Sequence, residues 1–292
     1  MQTRSLPNHP EIRLSAVGFG GVVLSKRPQA ECDADVAWAI DQGITYFDVA
    51  PQYANAQELM GPALKPYRDN VFLACKTLER SASAAAAELD DSLRKLHTSH
   101  FDLYQLHSLQ SVDDFQEAQR DGGALQVLLD AKATGKARLI GVSCHDEDAA
   151  LAAVASGHFD SVMLPINYAN LEHSGFGTRL LPAAQAANLT LISLKALAKG
   201  KLTAALEHRK HDKCWYDVCG PDEPELAHLQ LRYALNQPGV VAALPPGQPE
   251  IYKMAVAHAA ADLSPLSDEE HARLAAAYAQ PASDPLFPLD PK

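Results

Sequence analysis

Eight times along this chain a short apolar run of strand length is followed by a segment of helical length and pattern, and this alternation constrains its fold more than any other feature. The expected strands lie at residues 14–20, 44–49, 71–76, 101–106, 138–143, 161–166, 190–195 and 240–244. The expected helices lie at 31–42, 56–64, 83–96, 122–134, 146–156, 178–187, 223–236 and 249–261. Repeated β-then-α units with short connections predict a parallel sheet whose faces are covered by helices. Eight of them predict a closed (β/α)8 TIM barrel of class α/β, a single domain, and 292 residues suit a fold that commonly needs about 250. A doubly wound open sheet is the alternative, because counting units does not prove closure. Residues 1–13 form an N-terminal segment, 14–280 the barrel with a last helix capped by Ser267 to Glu270, and 281–292 a proline-rich tail.

Composition excludes several function classes. A formal charge of −11 and a pI near 5.5 disfavour nucleic-acid and anionic-membrane partners. The five cysteines are an odd number, widely spaced and without a CxxC pair, which predicts a reducing compartment and no zinc or iron-sulfur framework. The first residues carry no apolar stretch of signal-peptide length, and no run approaches the roughly 18 apolar residues of a membrane span. A cytoplasmic protein is expected.

Asp48, Tyr53, Lys76 and His107 stand at or just beyond the ends of successive expected strands. In a barrel that places a carboxylate, a phenol, an amine and an imidazole on one rim, where such folds carry their chemistry. A phenol titrates near pH ~10 and donates its proton poorly at neutrality. A neighbouring lysine would lower that pKa, a carboxylate would fix the lysine, and the imidazole would bond the substrate oxygen or the phenol. The set describes an acid that protonates a carbonyl oxygen and lacks only a hydride donor, which a nicotinamide would supply. His145 invites a metal-dependent hydrolase reading, but no His-x-His or converging carboxylates accompany it, and no metal is expected.

In Phe47-Asp48-Val-Ala-Pro-Gln-Tyr53, Cys75-Lys76 and Leu106-His107 the chain resembles the aldo-keto reductase superfamily, matching that family's Asp, Tyr, Lys and His in order and spacing. The likeness continues through Gly141-Val-Ser143, Phe159-Asp160 to Asn167, Leu194-Lys195 and Leu231 to Val240, and covers roughly residues 14 to 262. It implies reversible hydride transfer between NADP(H) and an aldehyde or ketone, with Tyr53 as general acid.

The resemblance also locates a cofactor. It implies that Ser143, Cys144, Met163, Asn167, Leu194 and Lys195 surround the nicotinamide, although Cys144, Met163 and Leu194 depart from the family's Asn, Gln and aromatic residue. Leu197, Lys199, Gly200 and Leu202 would follow the pyrophosphate, with a solubilising role the alternative for Lys199 and Lys201. Gly247 and Gln248 begin the helix that would receive the adenosine phosphate. Lys253 is the nearest cation there, which weakens the family preference for NADP(H) without reversing it, so NAD(H) stays open. No Gly-x-Gly-x-x-Gly suggests a Rossmann site.

Phe19, Val22 and Leu109 are expected as walls of a substrate pocket, with Trp215 and Tyr216 either a lid or pins that hold their loop to the barrel. The partner is then a small carbonyl compound; the oligomeric state is left open. A nucleotide-binding regulatory or scaffold protein on the same fold is the competing function, which the altered nicotinamide residues favour and the intact four-residue set opposes.

Overall fold

The computed structural model describes residues 1–279 and 284–287. The tail expected at 281–292 therefore lies largely outside the described residues. In order, the elements are β1 (Thr3–Ser5), β2 (Arg13–Ser15), β3 (Phe19–Gly20), α1 (Gln29–Asp41), β4 (Tyr46–Asp48), α2 (Ala56–Leu64), β5 (Phe72–Thr77), α3 (Ala82–Lys95), β6 (Phe101–Leu109), α4 (Val112–Gln119), α5 (Ala124–Thr134) and β7 (Ala137–Cys144). They continue with α6 (Glu147–Ser156), β8 (Ser161–Pro165), α7 (Leu180–Ala186), β9 (Thr190–Leu194), β10 (Ala198–Lys201), β11 (Tyr216–Val218), α8 (Pro224–Leu235), β12 (Val240–Leu244), α9 (Pro249–Ala261) and α10 (Asp268–Tyr278).

Eight of these strands form one parallel sheet in the order β12-β9-β8-β7-β6-β5-β4-β3. Its ends meet where Gly18 N donates to Ala243 O and Ala243 N donates to Ala16 O, both at 2.9 Å. The expected barrel is thus closed and the open sheet is excluded. A second apolar cluster containing Leu6, Ile12, Leu14, Tyr46, Phe72, Leu103, Leu139, Met163 and Ile192 joins residues of the terminal hairpin to the barrel strands β4 to β9. The larger cluster joins the strands to the surrounding helices.

Three local expectations change. Residues 14–20 do not form one strand: β1 and β2 pair as an antiparallel hairpin, and the chain resumes as the two-residue β3. The helix expected at 122–134 is preceded by a separate one, α4, whose N-cap Ser111 accepts from Asp114 N. Residues 198–201 and 216–218 are an antiparallel pair rather than loose loop.

One irregularity shapes the rim. The pairing of β6 with β7 shifts register between Leu106 and Leu109, and Ser108 takes a left-handed φ of 57°. An extra residue in a strand re-aims the side chains beside it. Here those are His107 and Ser108. The strand therefore runs to Leu109, past the end expected at 106.

Candidate active site

A cavity of about 210 Å³ opens at the C-terminal rim and is lined by Asp48, Tyr53, His107, Ser143, His145, Leu194 and Lys195 from one set of strand ends and loops. Gly20, Val22, Lys213, Trp215, Tyr216, Leu244, Pro245, Pro246 and Gly247 complete it. Three of the four expected rim residues thus face one space, and the fourth, Lys76, is fully buried against Asp48.

Asp48 is held from several directions. It pairs with Lys76 Nζ, accepts from Tyr46 Oη at 3.2 Å and lies 3.5 Å from Gln105 Nε2. Burial disfavours the Lys76 ammonium, but the negative potential of Asp48 and Tyr53 outweighs it and raises the lysine pKa. Lys76 Nζ lies 5.4 Å from the Tyr53 ring centre.

Sequence reasoning expected that cation to lower the phenol pKa. Lys76 does pull it down, yet burial is the larger effect and the Tyr53 pKa ends above its ordinary value. The phenol is therefore protonated at neutrality, the form an acid needs.

His107 packs edge-on to Tyr53, with ring centres 5.8 Å apart. Burial, reinforced by Lys76, His145, Lys195 and Arg80, pushes its pKa down to about 2, so the imidazole is neutral. Its Nδ1 lies 3.0 Å from Gln52 Oε1, and Gln52 Nε2 donates to Glu88 Oε1 at 3.2 Å. A neutral ring that donates from Nδ1 presents a lone pair at Nε2. His107 thus offers an acceptor for an O–H group.

His145 is also neutral, its pKa lowered to about 3 by burial and then Lys195. Its Nδ1 meets Ser108 Oγ at 3.0 Å and its Nε2 meets Lys195 Nζ at 3.1 Å.

The other expected residues divide. Val22, Ser143, Leu194, Lys195, Trp215, Tyr216 and Gly247 line the cavity. Phe19 does not: it is buried between Phe47 and Tyr252, with ring centres 5.2 and 5.0 Å away, because strand alternation turns its side chain outward. Leu109 and Cys144 are buried in the outer core for the same reason, Leu197 is buried there from the turn between β9 and β10, and Met163 belongs to the inner cluster beneath the rim. Asn167 is buried with its amide spent on backbone, donating to Lys195 O at 3.2 Å and accepting from Asn170 N at 2.9 Å.

Lys199 pairs with Glu223 at 2.7 Å, and Lys253 with Asp35 at 2.9 Å. Gly200 lies within β10 and Leu202 directly after it, both outside the cavity lining. Gln248 caps α9 and donates to Glu250 at 2.9 Å, while its buried Oε1 finds no donor among the described residues.

Sequence reasoning missed Gly20, Gln52, Lys213 and Pro245, and took His145 only as a possible metal ligand. Gln52 sits inside the motif that carries Asp48 and Tyr53, and Lys213 inside the aromatic insertion, so proximity to those segments was the available signal. Among the described residues, no group of His, Cys, Asp and Glu is placed to hold a metal ion. No described helix is long and apolar enough to cross a membrane.

This barrel, with its rim of Asp, Tyr, Lys and His, is that of an oxidoreductase family: the model of the aldo/keto reductase family matches residues 16–279, and the chain belongs to it. A curated relative, aldo-keto reductase YhdN of Bacillus subtilis, is 30% identical over 284 residues and 82% of each chain. L-galactose dehydrogenase of Arabidopsis thaliana is 27% identical, covering 84% of this chain and 83% of that one. Among solved structures, an aldo-keto reductase from Klebsiella pneumoniae in complex with NADPH superposes with a TM-score of 0.72 at 24% identity, over 99% of this chain and all of the other.

Proposed function

We propose that this member of the family is an NADPH-dependent aldehyde or ketone reductase in which Tyr53 is the general acid. The single observation that carries the reading is the convergence of Tyr53, His107 and the buried Lys76–Asp48 pair at the cavity.

The chain's residues suit a nicotinamide dinucleotide. Ser143 at the end of β7 and Leu194 at the end of β9 both face the cavity and would contact the nicotinamide ring and its amide. Lys213 lines the same space between the first and last barrel loops, near where a pyrophosphate would pass. Gln248 Oε1 lacks a donor at the start of α9, where the adenosine half would bring N–H and O–H groups. When bound, the nicotinamide supplies hydride. The complex of the Klebsiella relative favours NADPH, whereas the pairing of Lys253 with Asp35 leaves the 2′-phosphate without its expected cation.

Tyr53 holds the proton that a reduced carbonyl needs at oxygen. Lys76 stabilises the phenolate left behind, and Asp48 keeps Lys76 charged and fixed. His107 carries no charge to compete with the phenol, packs against its ring, and accepts an O–H from the phenol or an alcohol. Val22, Leu194, Trp215, Tyr216, Leu244, Pro245 and Pro246 supply apolar and aromatic wall, which suits a small to medium carbonyl compound.

The test is a fluorescence titration with NADPH and with NADH, followed by turnover of 4-nitrobenzaldehyde. Tight NADPH binding with turnover is expected. Preference for NADH would mean that the loop after β12 has changed the cofactor, and binding without turnover would favour a sensor or scaffold.

A further inference from the structure

Lys195, which the resemblance sets among the residues around the nicotinamide, has no part in the proton transfer. It follows β9 with a left-handed φ of 54°, a conformation that side-chain-bearing residues rarely adopt. Ser108, with φ 57°, is strained in the same way at the end of β6. Both strained residues turn their side chains onto His145, Ser108 Oγ at Nδ1 and Lys195 Nζ at Nε2. Gln110 Nε2 donates to Ser108 Oγ at 2.6 Å, which secures the far end of the brace.

The ammonium sits between two aromatic faces, 5.6 Å from the centre of Trp215 and 5.3 Å from that of Phe287. Phe287 in turn stacks on His145 with ring centres 5.1 Å apart. Among the described residues, no carboxylate pairs with Lys195, and His145 is its one hydrogen-bond acceptor. An ammonium has three donors. Two therefore remain for a ligand, in a cavity that Lys195 itself lines. A partly buried cation with open donors and no counter-ion is an anion site. Lys195 lines the same cavity as Tyr53 and His107, so the site opens onto the space where a carbonyl would sit.

We propose that Lys195, braced by His145 and Ser108 and flanked by Trp215 and Phe287, is a specificity-determining residue that binds a carboxylate on the carbonyl substrate, making oxo acids and aldehydo acids the preferred substrate class. This deepens the reductase reading and rests on it for the reaction. The same chemistry would suit a cofactor phosphate; the cavity that Lys195 shares with Tyr53 and His107 favours the substrate.

The test compares benzoate with benzamide by tryptophan fluorescence, with and without NADP+, and 4-carboxybenzaldehyde with 4-nitrobenzaldehyde by turnover. The wild-type protein is expected to bind benzoate at least about tenfold more tightly than benzamide, in line with a charge-assisted hydrogen bond. Lys195→Met should abolish that preference and lower the ratio of kcat/KM for the two aldehydes by about tenfold or more, while Lys195→Arg should keep both. No preference in the wild-type protein would overturn the proposal, whatever the variants do. So would a Lys195→Met protein that loses NADPH affinity but keeps the benzoate preference, because the ammonium would then serve the cofactor phosphates. If neither aldehyde turned over, the reductase reading would fall and the benzoate titration would still decide the anion site.

Discussion

Gln52 accepts from His107 Nδ1 at 3.0 Å and its own amide Nε2 donates to Glu88 at 3.2 Å. This chain sets the tautomer of an imidazole whose pKa has been driven to about 2. Gln52→Leu removes the acceptor and frees both the ring and its tautomer. Partners that orient a working histidine are typically worth about 10- to 100-fold, and a loss of kcat in that range is expected with NADPH affinity preserved. Steady-state kinetics beside a fluorescence titration check this; an unchanged kcat would remove Gln52 from the machinery.

Tyr53→Phe deletes the acid and little else, since the ring still packs against His107. Proton transfer by a placed side chain contributes about 10² to 10⁴ in rate, and kcat should fall by that factor. NADPH binding should survive. A variant with wild-type turnover would show that another group protonates the carbonyl.

The Lys76–Asp48 pair lies fully buried, so each charge depends on the other. Removing one partner of such a pair costs about 3 to 5 kcal/mol, because an uncompensated charge remains. Lys76→Met alone should lower stability by that amount, and adding Asp48→Asn should restore much of it. Chemical denaturation of the single and double variants measures both. Equal stability of the two would show that Asp48 has taken up a proton and lost its need for the lysine.

The rim positions of Asp48, Tyr53, Lys76 and His107 were legible because a barrel gathers its strand ends and the loops after them at one rim, and the runs preceding them are plainly apolar. Phe19 and Leu109 were misplaced because period-2 alternation needs a starting phase. β3 is two residues long, and the register shift in β6 displaces the phase after Leu106. Met163 and Asn167 carried an expected role by position, but their surroundings depend on neighbours distant in sequence. The anion site was illegible for a further reason: it joins Ser108, His145, Lys195, Trp215 and Phe287, and it depends on left-handed backbone at two non-glycine residues. Nothing in residue type announces that geometry.

The pH dependence should separate the two sites. His107 and His145 titrate near 2 and 3, so neither produces an inflection in the range where an ordinary histidine would. Burial lowers Lys195 to about 8, opposed only weakly by Cys214. Its charged form exists below that pH and is lost above it. Because the charged form binds the carboxylate, kcat/KM for 4-carboxybenzaldehyde should fall as the pH rises through about 8 and level off at the value of the Lys195→Met protein. Reduction of 4-nitrobenzaldehyde needs only the protonated phenol of Tyr53, whose pKa is raised above the ordinary value of about 10, and should persist to higher pH. Parallel profiles for the two aldehydes would show that Lys195 does not contact the substrate, whereas separated ones would identify the titrating group as the residue that recognises its anion.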